Sequence, residues 1–336
     1  MPSRGSATTA VSGLVALAIA VGVVAMLSIG VGSRFIPPDS VLSALFSPGG
    51  GFYDNVIWEL RIPRTVAGLV IGAALGLSGA VMQGLTRNPI ADPGILGVHA
   101  GAAFGVVVAI YVFGLLDFRA HVGFAFAGAA LVSAAVWLVG SRGRDGATPV
   151  KLALAGAAIS AFIGSATSLV LYADSTAFDE FRFWSVGSLA GAKADLLLAA
   201  APFLAAGALL AFGVIRGLNA LSMGADVARS LGQRVRLVRG AAALAVVLLS
   251  GTAVAAVGPI GFVGLTVPHV ARALAGPDHR RVLPYSALLG PLVLLGADIV
   301  GRVVAIPSEV QVGAITAAVG APVFIWFVRR RTVREL

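Results

Sequence analysis

Few residues of this chain have the types and spacings that enzymes use for chemistry. The four histidines, at positions 99, 121, 269 and 279, stand singly, and there is no cysteine to serve as a nucleophile, a thiolate ligand or a disulfide partner. The chain contains no phosphate-loop, H-E-x-x-H or G-x-S-x-G motif. His269 could be a ligand or a proton relay, but a single histidine near a helix end is more often a hydrogen-bonded structural residue. We therefore predict no catalytic residue and no metal site.

Three arginines are better candidates for a binding role. Arg61 and Arg64 lie one helical turn apart, and Arg302 follows Asp298 by four residues, which is the spacing of a helical ion pair. A guanidinium group binds carboxylates and phosphates through two parallel hydrogen bonds. By themselves, these residues fit two interpretations equally, namely anchoring to lipid phosphates or binding of an acidic partner.

The composition is that of a polytopic membrane protein. Of the 336 residues, 58% are hydrophobic and 12% are charged, and the mean hydropathy is +0.96, which no ordinary soluble domain shows. The net charge of +9 fits positively charged inner loops better than nucleic-acid binding, because no soluble basic domain is present. Few acids lie within the apolar segments, which argues against an ion-coupled carrier without excluding that class.

Nine charge-poor runs are long enough to be considered as membrane spans. They cover residues 11–33, 65–86, 94–116, 120–141, 152–173, 196–215, 240–271, 282–305 and 310–328. The run 240–271 is too long for one ordinary span and contains Gly258-Pro259, so it could form one tilted helix or two helices. Two helices give ten spans in a single domain over residues 1–336, with both termini in the cytoplasm.

The distribution of positive charge favours ten spans. This arrangement places 17 of the 24 Lys and Arg residues on the inner side, as the positive-inside rule requires. The seven on the outer side are Arg34, Arg61, Arg64, Arg119, Arg182, Lys193 and Arg302.

Residues 61–97 contain one complete span and the start of the next. Small residues recur at every fourth position, which predicts a helix face that other helices approach closely; they are Gly68, Gly72, Gly76, Ala80 and Gly84. Asn88-Pro89 should end this helix, and Asp92-Pro93 is typical of a cap that begins the following one.

The longest inner loop, at about 216–239, predicts a short amphipathic helix. Gly224 and Gly232 have the positions of helix ends, and an apolar stripe at helical spacing lies between them; the stripe is Leu221, Ala225, Ala228 and Leu231. Such a helix could lie on the lipid headgroups or in the groove of a partner protein.

Several separated motifs together resemble one known family, the transmembrane permease subunits of ABC importers for iron-siderophores, haem and cobalamin. The resemblance covers nearly the whole chain. It is carried by RIPRTVAGLVIGAALGLSGAVMQGLTRNPIADPGILG at 61–97, the loop at 219–232, GPIGFVGLTVPHVAR at 258–272, ADIVGR at 297–302 and VGAPVFIWFVRRR at 319–331. It implies an all-α membrane protein of about ten transmembrane helices per subunit, like the cobalamin-importer permease.

The resemblance also implies functions for particular positions. Arg61, Arg64 and Arg302 match residues that receive glutamates of an extracytoplasmic substrate-binding protein. The inner loop would be the coupling segment that docks into a separate ATPase subunit; its matching residues are Met223, Gly224, Asp226, Ala228, Arg229, Leu231 and Gly232. Asn88 and Ile90 match a cytoplasmic gate, and Pro149 and Val150 resemble its other part less closely.

The implied assembly contains a second permease copy or homologue, two ATPase subunits that hold ATP and Mg, and the binding protein, all at a bacterial cell membrane. The chain itself would need no cofactor and would not be an enzyme. FWSVGSLAG at 183–191 resembles the siderophore members through Trp184 and Gly187-Ser188-Leu189, so we expect a ferric siderophore, with haem next and cobalamin last. Trp184 also fits an interfacial anchor. The alternative from a different class is an ion-coupled secondary transporter.

Overall fold

A computed structural model describes residues 4–46, 49, 51–116, 118–142 and 147–330. All regular structure in these residues is helical. In chain order the helices are α1 Arg4–Gly30, α2 Pro38–Phe46, α3 Phe52–Thr86, α4 Val98–Tyr111, α5 Phe118–Gly140, α6 Pro149–Ala173, α7 Ser175–Trp184, α8 Ala194–Gly213, α9 Ile215–Ser222, α10 Ala225–Ser230, α11 Val235–Val257, α12 Val263–Ala275, α13 His279–Val304 and α14 Val312–Arg330. Arg144, Arg331 and Arg334, which we predict on the inner side, lie outside the described residues.

The helix count agrees with the predicted ten spans. In the part of the chain that the structure describes, seven helices are long and apolar enough to cross a membrane, namely α1, α3, α5, α6, α8, α11 and α13. Two shorter apolar helices are α4 and residues 312–325 of α14, and the 13-residue α12 has the position of the remaining predicted span. The run 240–271 divides at the predicted point, because α11 ends at Val257 and Gly258 has a positive φ of 77°.

The α3 helix lies at the centre of the bundle. Its small-residue stripe faces α13: a Cβ atom on Gly72 would lie 2.7 Å from the Pro291 backbone, and one on Gly76 would overlap the carbonyl of Ser286. Gly79, which is not on the stripe, meets the backbone of Gly264 in α12 in the same way. The predicted close approach of helices is therefore present, with α13 as the main partner of α3.

The connection after α3 differs in one respect from the prediction. Arg87 adopts a left-handed conformation and ends α3 just before Asn88-Pro89, as expected. Asp92 accepts a hydrogen bond from the backbone N–H of Gly94 at 2.7 Å, as a cap should. However, Asp92 caps only the 3₁₀ turn Pro93–Leu96, and the membrane helix α4 begins at Val98, because Gly97 has a positive φ of 76° that interrupts the turn.

Candidate functional sites at the two membrane faces

The three predicted arginines come together in the first part of α3 and near the end of α13, on the side that we predict to be outer, around Asp298 and Glu309. We call these five residues the outer arginine cluster. Arg64 donates to both carboxylate oxygens of Asp298, at 2.8–3.1 Å, and to Glu309 at 2.7 Å. Arg302 donates to Asp298 at 2.9 Å. The helical spacing of Asp298 and Arg302 therefore corresponds to a real ion pair, and Asp298 is shared between two guanidinium groups.

Burial separates the three arginines. Arg302 has no exposed side-chain surface and also donates to the carbonyl and hydroxyl oxygens of Ser28 in α1, both at 2.8 Å. Arg61 is 8% exposed and donates to the carbonyls of Val31 and Arg34. A binding protein cannot contact Arg302 while these bonds are intact, so the docking role of Arg302 stays a prediction that would require them to break.

The accessible edge of the cluster is Arg64 with Glu309, whose side chains are 13% and 31% exposed. Burial raises the pKa of Glu309, but the hydrogen bond and charge of Arg64 outweigh this effect, and the pKa lies below its ordinary value. Sequence reasoning missed Glu309 as a member of the cluster and Ser28 as a partner of Arg302. Neither residue stands at a helical spacing from the arginines, so no pattern pointed to them.

The predicted inner helix is α10, which has only six residues. Gly224 and Gly232 flank it with positive φ angles of 111° and 78°. Ala228 is fully buried against Leu221 and Val235, so α10 has a small apolar core of its own. Leu231 was expected on the same buried stripe, but it lies beyond the last helical residue and is 59% exposed.

The exposed side of the coupling segment is partly apolar. Met223, Val227 and Leu231 are all exposed, while Asp226 and Arg229 form an ion pair on the surface. An exposed apolar patch on a short, internally packed helix is typical of a surface that a partner protein covers. Five of the seven predicted coupling residues lie on this surface, namely Met223, Asp226, Arg229, Leu231 and Gly232.

Asn219 in α9, the helix that precedes α10, connects this region to the start of α13. Its side chain donates to Asp278 at 2.6 Å and accepts from the backbone N–H of His279 at 3.0 Å. Asp278 in turn caps α13 by accepting from the N–H of Arg280. No sequence motif indicated this contact, because the two segments are 59 residues apart.

The predicted gate residues lie at the inner ends of their helices. Asn88 accepts from the N–H of Ile90 at 3.1 Å and so stabilises the turn after α3, which leaves Ile90 exposed. Pro149 is the first residue of α6, which Thr148 caps, and Val150 is exposed. The two pairs are on separate segments, and their role in closing a pathway stays a prediction.

The segment 183–191 joins two helices at the outer side. Ser188 donates its backbone N–H to Val257 at 2.7 Å, and Gly187 accepts from Gly313 at 3.1 Å with a positive φ of 75°. Trp184 is buried beside Phe181. The Trp184 side chain therefore packs inside the protein, which disfavours its interpretation as an anchor in the lipid interface.

One histidine, His99, lies beside an acid, with its Nε2 3.8 Å from a carboxylate oxygen of Asp92. Among the described residues, no group of three or more His, Asp or Glu side chains could hold a metal ion. His269 contacts Arg272, which also bonds to the side chain of Gln83 in α3. This polar contact joins α12 to α3, which agrees with a structural role for His269.

Comparison with known proteins identifies the family. The FecCD transport family matches residues 18–330. The chain is 44% identical over 324 residues to the ferric enterobactin transport system permease protein FepD of Escherichia coli (strain K12), with 96% of each protein covered. It is also 44% identical over 290 residues to the probable siderophore transport system permease protein YfiZ of Bacillus subtilis (strain 168), covering 86% of this chain and 87% of that protein.

A solved structure supports the same assignment. A metal-chelate type ABC transporter in an inward-facing conformation superposes with a TM-score of 0.85 at 29% identity, and the match covers 95% of this chain and 99% of the other. The chain therefore belongs to the FecCD transport family and is a multi-pass membrane permease of the ABC importer type.

Proposed function

We propose that this permease carries an iron-siderophore complex into the cytoplasm. It would do so as a pair of permease subunits with two ATPase subunits, and an extracytoplasmic binding protein would deliver the substrate. The names of the two relatives, a ferric enterobactin permease and a siderophore permease, support the substrate class. ATP and Mg would bind only to the ATPase subunits. Haem and cobalamin are the competing substrates within the family.

Uptake by whole cells tests the substrate class. A strain lacking this permease should lose accumulation of a labelled ferric siderophore and regain it when the gene is restored. Haem and cobalamin uptake should not change. Restored uptake of haem or cobalamin, without siderophore uptake, would reverse the substrate assignment. Siderophore uptake that persists without any ATPase, and follows an ion gradient, would point to a secondary transporter instead.

The observation that best supports an ATPase partner is the exposed apolar side of α10 at Met223, Val227 and Leu231. This surface is held on a packed base and tied to α13 through Asn219, so a force applied to it would reach the membrane helices. We infer that the coupling segment lies in a groove of the ATPase. A charge placed there would have to be desolvated on docking, which is unfavourable.

Leu231→Glu tests this docking in the assembled transporter. We expect siderophore uptake to fall at least tenfold and ATPase co-purification to decrease, with normal membrane insertion. Phe46→Glu is the control, since Phe46 is also an exposed apolar residue but lies in α2 on the opposite side of the membrane. Unchanged uptake in Leu231→Glu would contradict the coupling assignment.

For the binding protein, we propose that its glutamates bind at the outer arginine cluster and compete there with Glu309 for Arg64. The support is the accessible Arg64–Glu309 edge, where the guanidinium already holds a carboxylate at 2.7 Å. Arg61 would contribute mainly positive charge, because it is only 8% exposed and two of its N–H groups already donate to backbone carbonyls.

Affinity of the binding protein for the permease in nanodiscs tests this proposal. Arg61→Glu with Arg64→Glu should weaken binding at least tenfold, whereas Glu309→Gln, which removes the competing carboxylate, should leave it unchanged or tighter. Arg34→Glu is the control for charge alone, since Arg34 is exposed on the same outer side. An equal loss in the control and the double variant would mean that docking does not use this cluster.

A further inference from the structure

A basic cavity lies at the predicted inner end of the bundle, beside the coupling segment, with which it shares Arg229. It has a volume of about 660 Å³ between the ends of α5 and α11 and the loop that precedes α11. Among the described residues, four arginines line it together with Trp137, and no acidic residue does so; the arginines are Arg229, Arg234, Arg236 and Arg239. This concentration of guanidinium groups in one concave site favours an anionic ligand.

The hydrogen bonds of these arginines leave capacity for such a ligand. Arg239 donates one N–H to the carbonyl of Ala147 at 2.9 Å, while its Nε is buried and has no acceptor. A buried donor without a partner is unfavourable by about 1–3 kcal/mol. Within the described residues, Arg234 and Arg236 form no ion pair, in contrast to Arg229, which pairs with Asp226. An anion in the cavity would meet these unpaired guanidinium groups.

An apolar groove of about 250 Å³ adjoins this cavity along α5 and α11. The two share Trp137 and Gly240 in their walls. The groove is lined mainly by aliphatic residues, among them Ala134, Leu244 and Val247. A site with a basic end and an adjoining apolar channel fits an amphiphile, whereas a free phosphate would use only the basic end.

We propose that this site binds one anionic phospholipid of the inner leaflet, with its phosphate among the arginines and an acyl chain in the groove. Guanidinium groups recognise phosphate through paired, charge-assisted hydrogen bonds, and basic pockets between membrane helices on the cytoplasmic side are known to take such headgroups. Trp137 lies at the junction of the basic cavity and the groove, and tryptophan is favoured where a membrane meets water.

The lipid would lie next to two segments that have predicted functions in transport. Arg239 holds the carbonyl of Ala147, two residues before Pro149, and Arg229 belongs to α10. The bound headgroup would thus contact both the segment before the predicted gate residues and the coupling helix. This consequence rests on the proposed function, but binding of the lipid itself does not.

Lipid binding by the purified full-length permease in detergent tests the site. The probes are dioleoyl phosphatidylglycerol, dioleoyl phosphatidylcholine and inorganic phosphate, and the readouts are lipid retained in native mass spectra and the thermal midpoint. We expect phosphatidylglycerol alone to be retained and to raise the midpoint. Arg234→Gln with Arg236→Gln should lower its retention about tenfold.

Two further variants keep the result interpretable. Arg216→Gln with Arg280→Gln makes the same charge change at two exposed inner positions outside the cavity, and it should retain the lipid. Ala134→Phe fills the groove at an exposed position without changing charge, and it should lower lipid retention. Equal loss in the charge control, or an equal midpoint shift with inorganic phosphate, would overturn the proposal, as would full retention in Ala134→Phe.

Discussion

Asp298 holds the outer arginine cluster together, because its single carboxylate serves both Arg64 and Arg302. The consequences of removing a charge therefore differ from one member to the next. Asp298→Asn leaves the fully buried Arg302 without an anionic partner, although Ser28 still accepts from it. Arg302→Met leaves Asp298 paired with Arg64. Removing one partner of a buried ion pair, as Asp298→Asn does, typically destabilises a protein by about 3–5 kcal/mol.

We therefore predict that Asp298→Asn lowers the thermal midpoint of the purified permease more than Arg302→Met does. The measurement is unfolding in detergent, followed by tryptophan fluorescence. A midpoint for Arg302→Met equal to or below that for Asp298→Asn would show that Arg302, and not the shared carboxylate, is the main stabilising member.

The Arg64–Glu309 pair predicts a pH dependence. The pKa of Glu309 is lowered in the folded protein, chiefly by Arg64 acting against burial. Its contribution to stability is thus complete above the unfolded pKa of about 4.3 and disappears as the pH falls through the lower folded value. Glu309→Gln should melt up to about 2 °C below the parent at pH 7, and the difference should vanish in acid. A difference that grows on acidification would contradict this ion pair.

At the scale of single residues, the sequence predicted those contacts that depend on residue type and local spacing. Asp298 and Arg302 were paired correctly, because both lie on one helix four residues apart. The burial of Arg302 was not predictable, because it depends on Ser28 of α1, a residue 274 positions away. Contacts of that kind are set by helix packing and leave no periodic signal.

At the scale of elements, the contact between α3 and α13 depends on glycines that permit backbone-to-backbone approach. An added methyl group at Gly76 would overlap the carbonyl of Ser286, which cannot rotate away as a side chain could. We predict that Gly76→Ala destabilises the permease by about 3 kcal/mol or more, since the helices must separate. Folded yield and thermal midpoint in detergent provide the measurement.

Gly22→Ala is the matched control for this prediction. Gly22 lies in α1, and a Cβ atom there would have no neighbour within 4 Å. The control should therefore equal or slightly exceed the parent in stability, because alanine has the higher helix propensity. Similar losses of stability in both variants would mean that the glycines do not act by permitting close packing of α3 on α13.

The sequence predicted elements well where a residue type imposes backbone geometry. Gly258-Pro259 marked the break between α11 and α12, and Gly224 and Gly232 marked the ends of α10. The sequence predicted fewer of the helices whose formation depends on packing against other parts of the chain. The helices α2 and α7 lie in connections between spans, and with 9 and 10 residues they are too short to form the charge-poor runs from which the spans were predicted.

For the whole molecule, the direction of insertion is a prediction that rests on charge alone. The absence of cysteine makes it straightforward to test, since an introduced cysteine is the single thiol of the chain. We expect Arg216→Cys to react with a membrane-impermeant maleimide only after the inner side is opened, and Ser33→Cys to react in intact cells. Arg216 is exposed and lies outside the predicted coupling residues, and Ser33 is partly exposed. The reverse pattern would invert the assignment of all the loops.

The α13 helix joins the two faces of the permease, from the Asn219 contact at its start to Asp298 and Arg302 near its end. Pro284 and Pro291 lie inside it, and each removes a backbone donor and favours a bend. Pro291 and Gly290 are also where the backbone of α3 lies closest, at Gly72. A bend at this point would turn the outer half of α13 about a fixed pivot. Movement of the coupling segment would then reach the binding-protein side as a rotation of Asp298 and Arg302, rather than as a shift of the whole helix.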